Sequence, residues 1–469
     1  MTINAFGTPI FTNLYDFSPL IQTNAAGVNT NFDGGISKAG LVVSGNTLYG
    51  TTSSGGTNGT GTLFKINTDG SAFSVLHQFS DGGTPAASLV LSGNMLYGTA
   101  EYGGSNDAGS VFAIGVNGAG FTNLYNFTPL LNTTNSDGAN PTAGFALAGS
   151  ALYGTAYNGG TNGNGTIFRI NTDGTGFTNL YNFSAFVNSN SLDDGTNSDG
   201  ANPSAGLAFY AGTLYGTTEF GGSGGSGTVF AINTNGAAFT NLYGFSTIMN
   251  FTNSDGAYAV GGVTYLGGKL FGTTLAGGTN NSGTLFALNA NGGSYTNLHV
   301  FGPTVSSTNM DGAGSATVLA VFNNTLYGTT QLGGSGGSGT LFSVSTNGSN
   351  FQNLYNFTRI SSNPLLGTPT NIDGGYPQGS LVMSGGSFYG ATSIAGTGGN
   401  GGVYVLSLGA IPLHIQSISN GVVLTWGNPA FSLLASTNAA GIYAVIPGAA
   451  SPYTNSISSP REFFSLQAF

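Results

Sequence analysis

Seven of the 16 acidic residues occupy one recurring position, an aspartate followed directly by glycine. These aspartates are Asp33, Asp81, Asp137, Asp199, Asp255, Asp311 and Asp373. A ring of carboxylates could hold a cation through oxygen ligands, and calcium is the cation that such ligands favour. The calcium-loop pattern Asp-x-Asp-x-Asp is absent, so the favoured interpretation is a cap in which each carboxylate accepts backbone N–H groups.

Two glutamates, Glu101 and Glu219, occupy another recurring position, two repeats apart. A pair of carboxylates can hydrolyse a glycosidic bond, which makes these two residues the alternative catalytic candidates. Sporadic substitution at an exposed repeat position explains them more simply. The favoured interpretation therefore assigns no catalytic residue to the chain.

The remaining reactive residue types give little support for a catalytic or cofactor site. His77 and His299 replace tyrosine in a repeated strand and are predicted to pack, and His414 stands alone near the C-terminus. The chain has no cysteine, which excludes disulfides and thiolate ligands. Residues 221–227 and 333–339 superficially match phosphate-binding loops, but no lysine follows them and no helix is predicted there. No cofactor is expected, and calcium is the one cation considered.

The charge balance restricts the partners. Only 5% of the 469 residues are charged, and the net charge is −10. The six lysines and arginines are scattered, which argues against nucleic acid and against anionic membrane surfaces. No apolar run is long enough to span a bilayer, so no membrane insertion is expected. A basic and apolar signal region is not found in this numbering.

Three motifs recur along the chain and define a repeat. Leu-Tyr-Gly or a near variant ends at Gly50, Gly98, Gly154, Gly216, Gly272, Gly328 and Gly390. A Gly-Thr-Leu-Phe motif follows each copy, and a Phe-Thr-Asn-Leu-Tyr-Asn-Phe motif also occurs seven times. In the first full repeat, period-two alternation and turn residues predict strand a at 41–44, b at 47–53, c at 62–67 and d at 73–79.

The order of the strands predicts how the repeats close. The chain opens with a strand d, residues 11–17, and its repeats end with strands a to c, residues 381–408. Four short antiparallel strands per repeat are typical of a propeller blade. The sequence therefore predicts an all-β, seven-bladed β-propeller over residues 1–408, closed by overlap of the N-terminal strand. Residues 409–469, which include Trp426, are predicted to form a small β-rich C-terminal module.

These motifs resemble the tandem "GloVer" repeat of choice-of-anchor proteins over roughly residues 11–408. The Gly-Gly doublet after strand b, as in Gly55-Gly56, is also similar to kelch blades. The C-terminal region resembles a short β-domain of secreted bacterial proteins. The resemblance implies a secreted or cell-surface bacterial protein and supplies no catalytic residues.

The expected function follows from the near-symmetry of the repeats. We expect a non-enzymatic, extracellular or cell-surface propeller with an interaction or structural role. Its partner would be a polysaccharide or an extracellular protein, bound on the face that carries the d–a and b–c loops. The alternative is a carbohydrate-active enzyme, a hydrolase or lyase, at a notch beside the second blade. That notch is expected because the loop from Phe79 to Asp81 is the shortest of its kind.

Overall fold

The computed structural model describes residues 7–80, 83–187, 195–362 and 368–409. In the C-terminal region it describes residues 414–418, 421–425, 431–436, 444–446, 449–456 and 463–468. All regular structure within these ranges is β-strand, which confirms the predicted all-β class. The same ranges contain no helix long and apolar enough to cross a membrane.

Six four-stranded antiparallel sheets follow one another along the chain, each ordered a, b, c, d. We call them blades one to six. Blades one and two contain β4 (Val42–Ser44), β5 (Thr47–Thr52), β6 (Thr62–Asn67), β7 (Ser74–Gln78), β8 (Val90–Ser92), β9 (Met95–Ala100), β10 (Ser110–Gly115) and β11 (Thr122–Asn126). Blades three and four contain β12 (Ala146–Ala148), β13 (Ala151–Ala156), β14 (Thr166–Asn171), β15 (Thr178–Asn182), β16 (Ala208–Tyr210), β17 (Thr213–Thr218), β18 (Thr228–Asn233) and β19 (Thr240–Gly244). Blades five and six contain β20 (Val263–Leu266), β21 (Lys269–Thr273), β22 (Thr284–Asn289), β23 (Thr296–Val300), β24 (Ala320–Phe322), β25 (Thr325–Thr330), β26 (Thr340–Ser345) and β27 (Gln352–Asn356).

The seventh four-stranded sheet combines the first strand with the last strands of the repeat. Its order is β1 (Gly7–Asp16), β32 (Gly402–Gly409), β31 (Ser387–Thr392) and β30 (Val382–Ser384). The N–H of Phe17, just after β1, donates to the carbonyl of Gly401 at 3.0 Å. The same bond joins Phe79 to Gly61 in blade one at 3.2 Å. β1 therefore takes the place of strand d in blade seven, as the overlap prediction requires.

Four short strands complete the loops of the repeat region as two hairpins. β2 (Gln22–Thr23) pairs with β3 (Asn29–Thr30), and β28 (Ser361–Ser362) pairs with β29 (Pro369–Thr370). Both hairpins lie in long d–a loops. The longest loops are therefore folded back on themselves where the structure describes them.

The glycine of Leu-Tyr-Gly is required by close packing within each blade. A Cβ placed at Gly50 would lie 2.6 Å from the ring of Phe64 and 2.6 Å from the side chain of Leu41. Gly50 pairs with Phe64 in the ladder between β5 and β6. The absent side chain lets the ring of Phe64 in strand c lie close to the backbone of strand b.

The core lies between consecutive blades. Between blades two and three, for example, Tyr97 and Val111 pack with Leu152 and Phe168, and all four are buried. Aromatic pairs also join neighbouring outer strands, as where Tyr125 stacks on Phe177 at 3.7 Å between ring centroids. Equivalent stacked pairs are Tyr15–Phe73, His77–Phe121, Tyr181–Phe239, Tyr243–Tyr295 and His299–Phe351. Such aromatic pairs stabilise the contact between blades beyond the effect of burying their apolar area.

The blades form a closed ring. The N–H of Tyr258 at the start of blade five donates to the carbonyl of Ser226 in blade four at 3.0 Å. The same bond joins Ile36 of blade one to Asn400 of blade seven at 2.9 Å. Tyr15 of blade seven stacks on Phe73 of blade one. Blade seven is therefore joined to blade one by the same kinds of hydrogen bond and aromatic stack that join the other neighbouring blades.

The chain divides into two compact units. The larger unit is Asn13–Val382 with Tyr389–Tyr404, and the smaller is Met1–Thr12, Met383–Phe388 and Val405–Phe469. Two three-stranded sheets of the smaller unit contain β33 (His414–Ile418), β34 (Gly421–Thr425), β35 (Phe431–Ser436), β36 (Ala444–Val445), β37 (Tyr453–Ser456) and β38 (Phe463–Ala468). Leu424 and Leu433 form their buried centre. The boundary at residues 408 and 409 stays a prediction.

Candidate functional site

The recurring aspartates accept hydrogen bonds from the outer strand that precedes them. Asp137 accepts from the hydroxyl of Tyr125 at 2.7 Å, from the N–H of Thr128 at 3.0 Å and from the Thr128 hydroxyl. Asp33, Asp199, Asp255 and Asp373 have the same three kinds of donor. These carboxylates are nearly fully buried. Each bond set holds the end of strand d against the start of the next blade.

Blade five uses a histidine in the same role. His299 Nε2 lies 2.8 Å from Asp311 Oδ2, and the N–H of Gly302 donates to the same oxygen at 3.0 Å. The predicted packing of His299 is also seen, since its ring stacks on Phe351. The imidazole thus replaces the tyrosine both as a stacking partner and as a partner of the aspartate.

The backbone N–H that each of these carboxylates accepts comes from the residue just after strand d. Asp81 lies outside the described residues. Within the described part of the chain, no three His, Cys, Asp or Glu side chains lie together as a metal site would need. The cation hypothesis stays a prediction.

Burial and the neighbouring aspartates raise the pKa of the tyrosines that contact these carboxylates. Burial raises the pKa of Tyr125 well above its usual value, and the hydrogen bond to Asp137 and its negative charge raise it further. The pKa values of Tyr15, Tyr181, Tyr243 and Tyr355 are raised for the same reasons. These hydroxyls therefore remain donors throughout the neutral range.

An asparagine two residues before each described aspartate was missed in the sequence. Asn253 donates to the carbonyls of Ser246 at 2.9 Å and Gly256 at 2.8 Å. Its oxygen accepts from the N–H groups of Gly256 and Gly278, each at 2.9 Å. The same bonding recurs at Asn31, Asn135, Asn197, Asn309 and Asn371. The motif Asn-x-Asp-Gly occurs with constant spacing in six repeats of the sequence, but a role was predicted only for its aspartate.

A cavity of about 540 Å³ lies at the centre of the ring, and we call it the central cavity. Every blade contributes to its lining. The contributing segments are the starts of the innermost strands and the residues that follow strand b. The central cavity therefore opens on the face that carries the d–a and b–c loops.

The repeats diverge where they line the central cavity. The position five residues after the recurring aspartate holds a lining residue in every blade, namely Lys38, Ala86, Thr142, Ser204, Val260, Ala316 and Gln378. A buried position in strand b is almost constant by comparison, with Leu48, Leu96, Leu152, Leu214, Leu270, Leu326 and Phe388. The framework is therefore repetitive, and the cavity it surrounds is asymmetric.

Both alternative catalytic residues line this cavity. Glu101 and Glu219 follow strand b of blades two and four, where Tyr157 and Gln331 occupy the equivalent positions of blades three and six. The alternative site was predicted at a notch near Asp81, Glu101 and Glu219. Both glutamates line the central cavity, and the notch stays a prediction because Asp81 lies outside the described residues.

Only some of the polar side chains in the cavity wall form hydrogen bonds with the described part of the protein. The side-chain amide of Gln378 donates to that of Gln331 at 3.2 Å. The buried hydroxyl oxygens of Thr142 and Ser204 have no hydrogen-bond partner among the described residues. The wall thus presents hydroxyls, amides and carboxylates within one cavity.

The model of the Gloeobacter/Verrucomicrobia repeat matches this chain four times, at residues 13–192, 130–310, 190–367 and 244–440. No curated protein matches the chain. Many solved structures do.

Three such structures illustrate the likeness. A nidogen/laminin complex is 13% identical with a TM-score of 0.39, over 62% of this chain and 89% of that one. TolB from Acinetobacter baumannii is 15% identical with a TM-score of 0.36, over 62% and 58%. The tricorn protease is 14% identical with a TM-score of 0.38, over 86% and 34%. Likeness at this level says nothing about ligands or activity.

The overlapping matches to the repeat model extend from residue 13 to residue 440 and include all seven copies of Leu-Tyr-Gly. The chain therefore belongs to the Gloeobacter/Verrucomicrobia repeat family.

Proposed function

We propose that this chain is a non-enzymatic binding protein, secreted or displayed at the cell surface, that holds a glycan or an extracellular protein at its central cavity. The observation that supports this proposal most directly is the divergence of the repeats around the cavity. Seven blades with nearly constant cores present different side chains at one lining position. A purely structural ring has no need of such asymmetry.

The chemistry of the lining supports a hydroxyl-rich or amide-rich partner. Glu101, Gln331, Gln378 and Tyr157 supply acceptors and donors, and small residues such as Gly144 line the wall between them. A concave site of a few hundred Å³ with a few convergent polar groups is typical of ligand binding. The scarcity of basic residues argues against a polyanionic partner.

A binding experiment on the full chain tests the proposal. Glycan and extracellular-protein arrays would identify a partner, and Gln331→Ala and Glu101→Gln should each weaken its binding about tenfold. Lys269→Gln is the matched control, because Lys269 lies at the a–b turn on the opposite face. A partner whose affinity is unchanged in both cavity variants would contradict the proposal.

The alternative is a glycoside hydrolase or lyase that uses Glu101 and Glu219. The observation in its favour is that both carboxylates line one cavity. Product analysis of oligosaccharides incubated with the wild-type chain, Glu101→Gln and Glu219→Gln distinguishes the two functions. Turnover that is abolished by either substitution would establish the enzyme and overturn the non-enzymatic proposal.

A further inference from the structure

A second cavity, of about 670 Å³, lies between blades four and five. We call it the inter-blade cleft. It shares no lining residue with the central cavity. Its walls are the b–c loop of blade four at 224–226, the d–a loop at 247–251, and Tyr258, Ala276 and Asn281 of blade five. Among the residues that the structure describes, no charged side chain lines it.

Blade four has a glycine, Gly224, at a b–c loop position where four other blades have an asparagine, and blades six and seven also have a glycine there. In blade one, the amide of Asn58 donates to the carbonyl of Phe79 at 2.9 Å. Asn106, Asn162 and Asn280 make the same bond in blades two, three and five. In blade four a Cβ added at Gly224 would lie 2.1 Å from the carbonyl oxygen of Phe245. The loop therefore lies against the backbone after strand d, with no room for a side chain in this conformation.

Blade six provides an internal comparison. Residues 333–339 repeat the sequence of residues 221–227, and a cavity of about 190 Å³ lies beside them. Gly336 has the position of Gly224, and a Cβ added there would lie 2.0 Å from the carbonyl oxygen of Phe357. The two glycine-rich loops that superficially match phosphate-binding loops thus each border an opening between blades.

An aromatic ring stands at the rim of the inter-blade cleft. Phe251 is 77% exposed and has a φ of 69°. It lies in a turn closed by two hydrogen bonds between Met249 and Thr252, at 2.9 and 3.1 Å. Thr133 and Ser307 hold the equivalent position after blades two and five. A bulky residue in left-handed backbone is strained, and such strain concentrates at functional sites.

A tyrosine stands within the same cleft. Tyr258 also has a positive φ, of 60°, and its ring packs edge-on against Phe220 at 5.4 Å. Asn250, Asn281 and Thr247, which carry amide and hydroxyl groups, also line the cleft. The cleft thus combines a flat apolar face with neutral hydrogen-bonding groups.

We infer that the inter-blade cleft is a binding site for a neutral oligosaccharide. A sugar ring has an apolar face that can cover an aromatic ring and hydroxyls around its edge that can bond amides. The uncharged lining favours a neutral sugar over a uronate or a phosphorylated ligand, since an anion would find no cation here. This inference is independent of the function proposed for the central cavity.

The test is ligand-observed NMR and calorimetry on the full chain with neutral cello-, xylo-, malto- and N-acetylchito-oligosaccharides. Phe251→Thr introduces the residue of the equivalent turn after blade two, and Gly224→Asn introduces the residue of four other blades. Each should weaken binding about tenfold or more. Val305→Thr, a 72% exposed residue of the turn after blade five, is the matched control and should bind like the wild type.

Each outcome decides the inference, provided that melting curves show the variants folded. If no oligosaccharide of the panel binds at millimolar concentration, the inference is overturned. It is also overturned if both cleft variants bind like the wild type. A loss of binding in Glu101→Gln alone would place the sugar in the central cavity, which would support that proposal and refute this one.

Discussion

The hydroxyl of Tyr243 lies 2.7 Å from the carboxylate of Asp255, across the loop that joins blade four to blade five. The same carboxylate accepts from the N–H of Ser246 at 3.0 Å and from the Ser246 hydroxyl. A buried acceptor with three donors fixes the end of one blade to the start of the next. This relationship recurs in most of the ring.

Asp255→Ala should lower the free energy of unfolding by about 2–3 kcal/mol, because it leaves the tyrosine hydroxyl and the Ser246 N–H without their acceptor. Asp255→Asn keeps part of the bonding and should cost about 1 kcal/mol. Urea unfolding measures the stability of these variants, of Tyr243→Phe and of the double variant Asp255→Ala/Tyr243→Phe. The last two together with Asp255→Ala give the coupling energy between Tyr243 and Asp255. A cost below about 0.5 kcal/mol for Asp255→Ala would contradict the structural role.

If the aspartates serve this structural role alone, calcium and chelator should leave the melting temperature unchanged. The reason is that the carboxylates are already occupied by protein donors. Differential scanning calorimetry with millimolar calcium or with EDTA measures this. A drop of several degrees on chelation would favour the cation hypothesis instead.

Stability should fall steeply at alkaline pH. The raised pKa of tyrosines such as Tyr125 means that the folded chain keeps protons that the unfolded chain loses above the usual value of 10.0. The free energy of unfolding is thus unaffected below that value and decreases as the pH rises through it. Melting curves between about pH 9 and pH 11.5 check this, with Tyr125→Phe as a variant of shallower slope. A constant melting temperature over that range would contradict the bonding described.

Removal of residues 1–17 should expose the edge of β32 and cause aggregation or loss of cooperative unfolding. Phe17→Ala tests the same contact without truncation, because Phe17 is fully buried against Phe64. It should cost about 3–5 kcal/mol, as should Phe127→Ala at the equivalent position of blade two. An unchanged melting temperature for the truncated chain would refute closure by overlap.

Acidification should cause association before unfolding. The net charge of −10 disappears near the sequence pI of about 4.2, and few basic groups remain to keep molecules apart. Light scattering and circular dichroism between about pH 7 and pH 4 follow both processes. If unfolding comes first, the buried aspartates contribute more to stability than this prediction assumes.

The blade framework could be predicted from the sequence because its signals are local and repeated. Strand c was placed at residues 62–67, the bounds that the structure gives for β6. The role of β1 as strand d of blade seven could be predicted because the chain opens with an unpaired strand d and the last repeat lacks one. The asparagine of Asn-x-Asp-Gly was overlooked because asparagine is common throughout these loops, and its bonds reach glycines such as Gly278 in another loop.

The central cavity could not be predicted, because it depends on closure of the ring. Lys38 and Gln378 come from opposite ends of the repeat array and become neighbours only when blade seven meets blade one. In the sequence, the repeat position that they share holds a different residue type in most blades, so it does not form a motif. The sequence shows that Glu101 and Glu219 occupy the same repeat position. They line one cavity only because the ring closes.

The tyrosine–aspartate pairs also give the ring an optical signature of its own. A tyrosine whose hydroxyl donates to a carboxylate fluoresces weakly, so release of Tyr15, Tyr125 or Tyr243 on unfolding should brighten the tyrosine emission. The single tryptophan of the chain, Trp426, lies after the last repeat. Two emission bands from one unlabelled molecule can therefore follow the repeats and the C-terminal region separately.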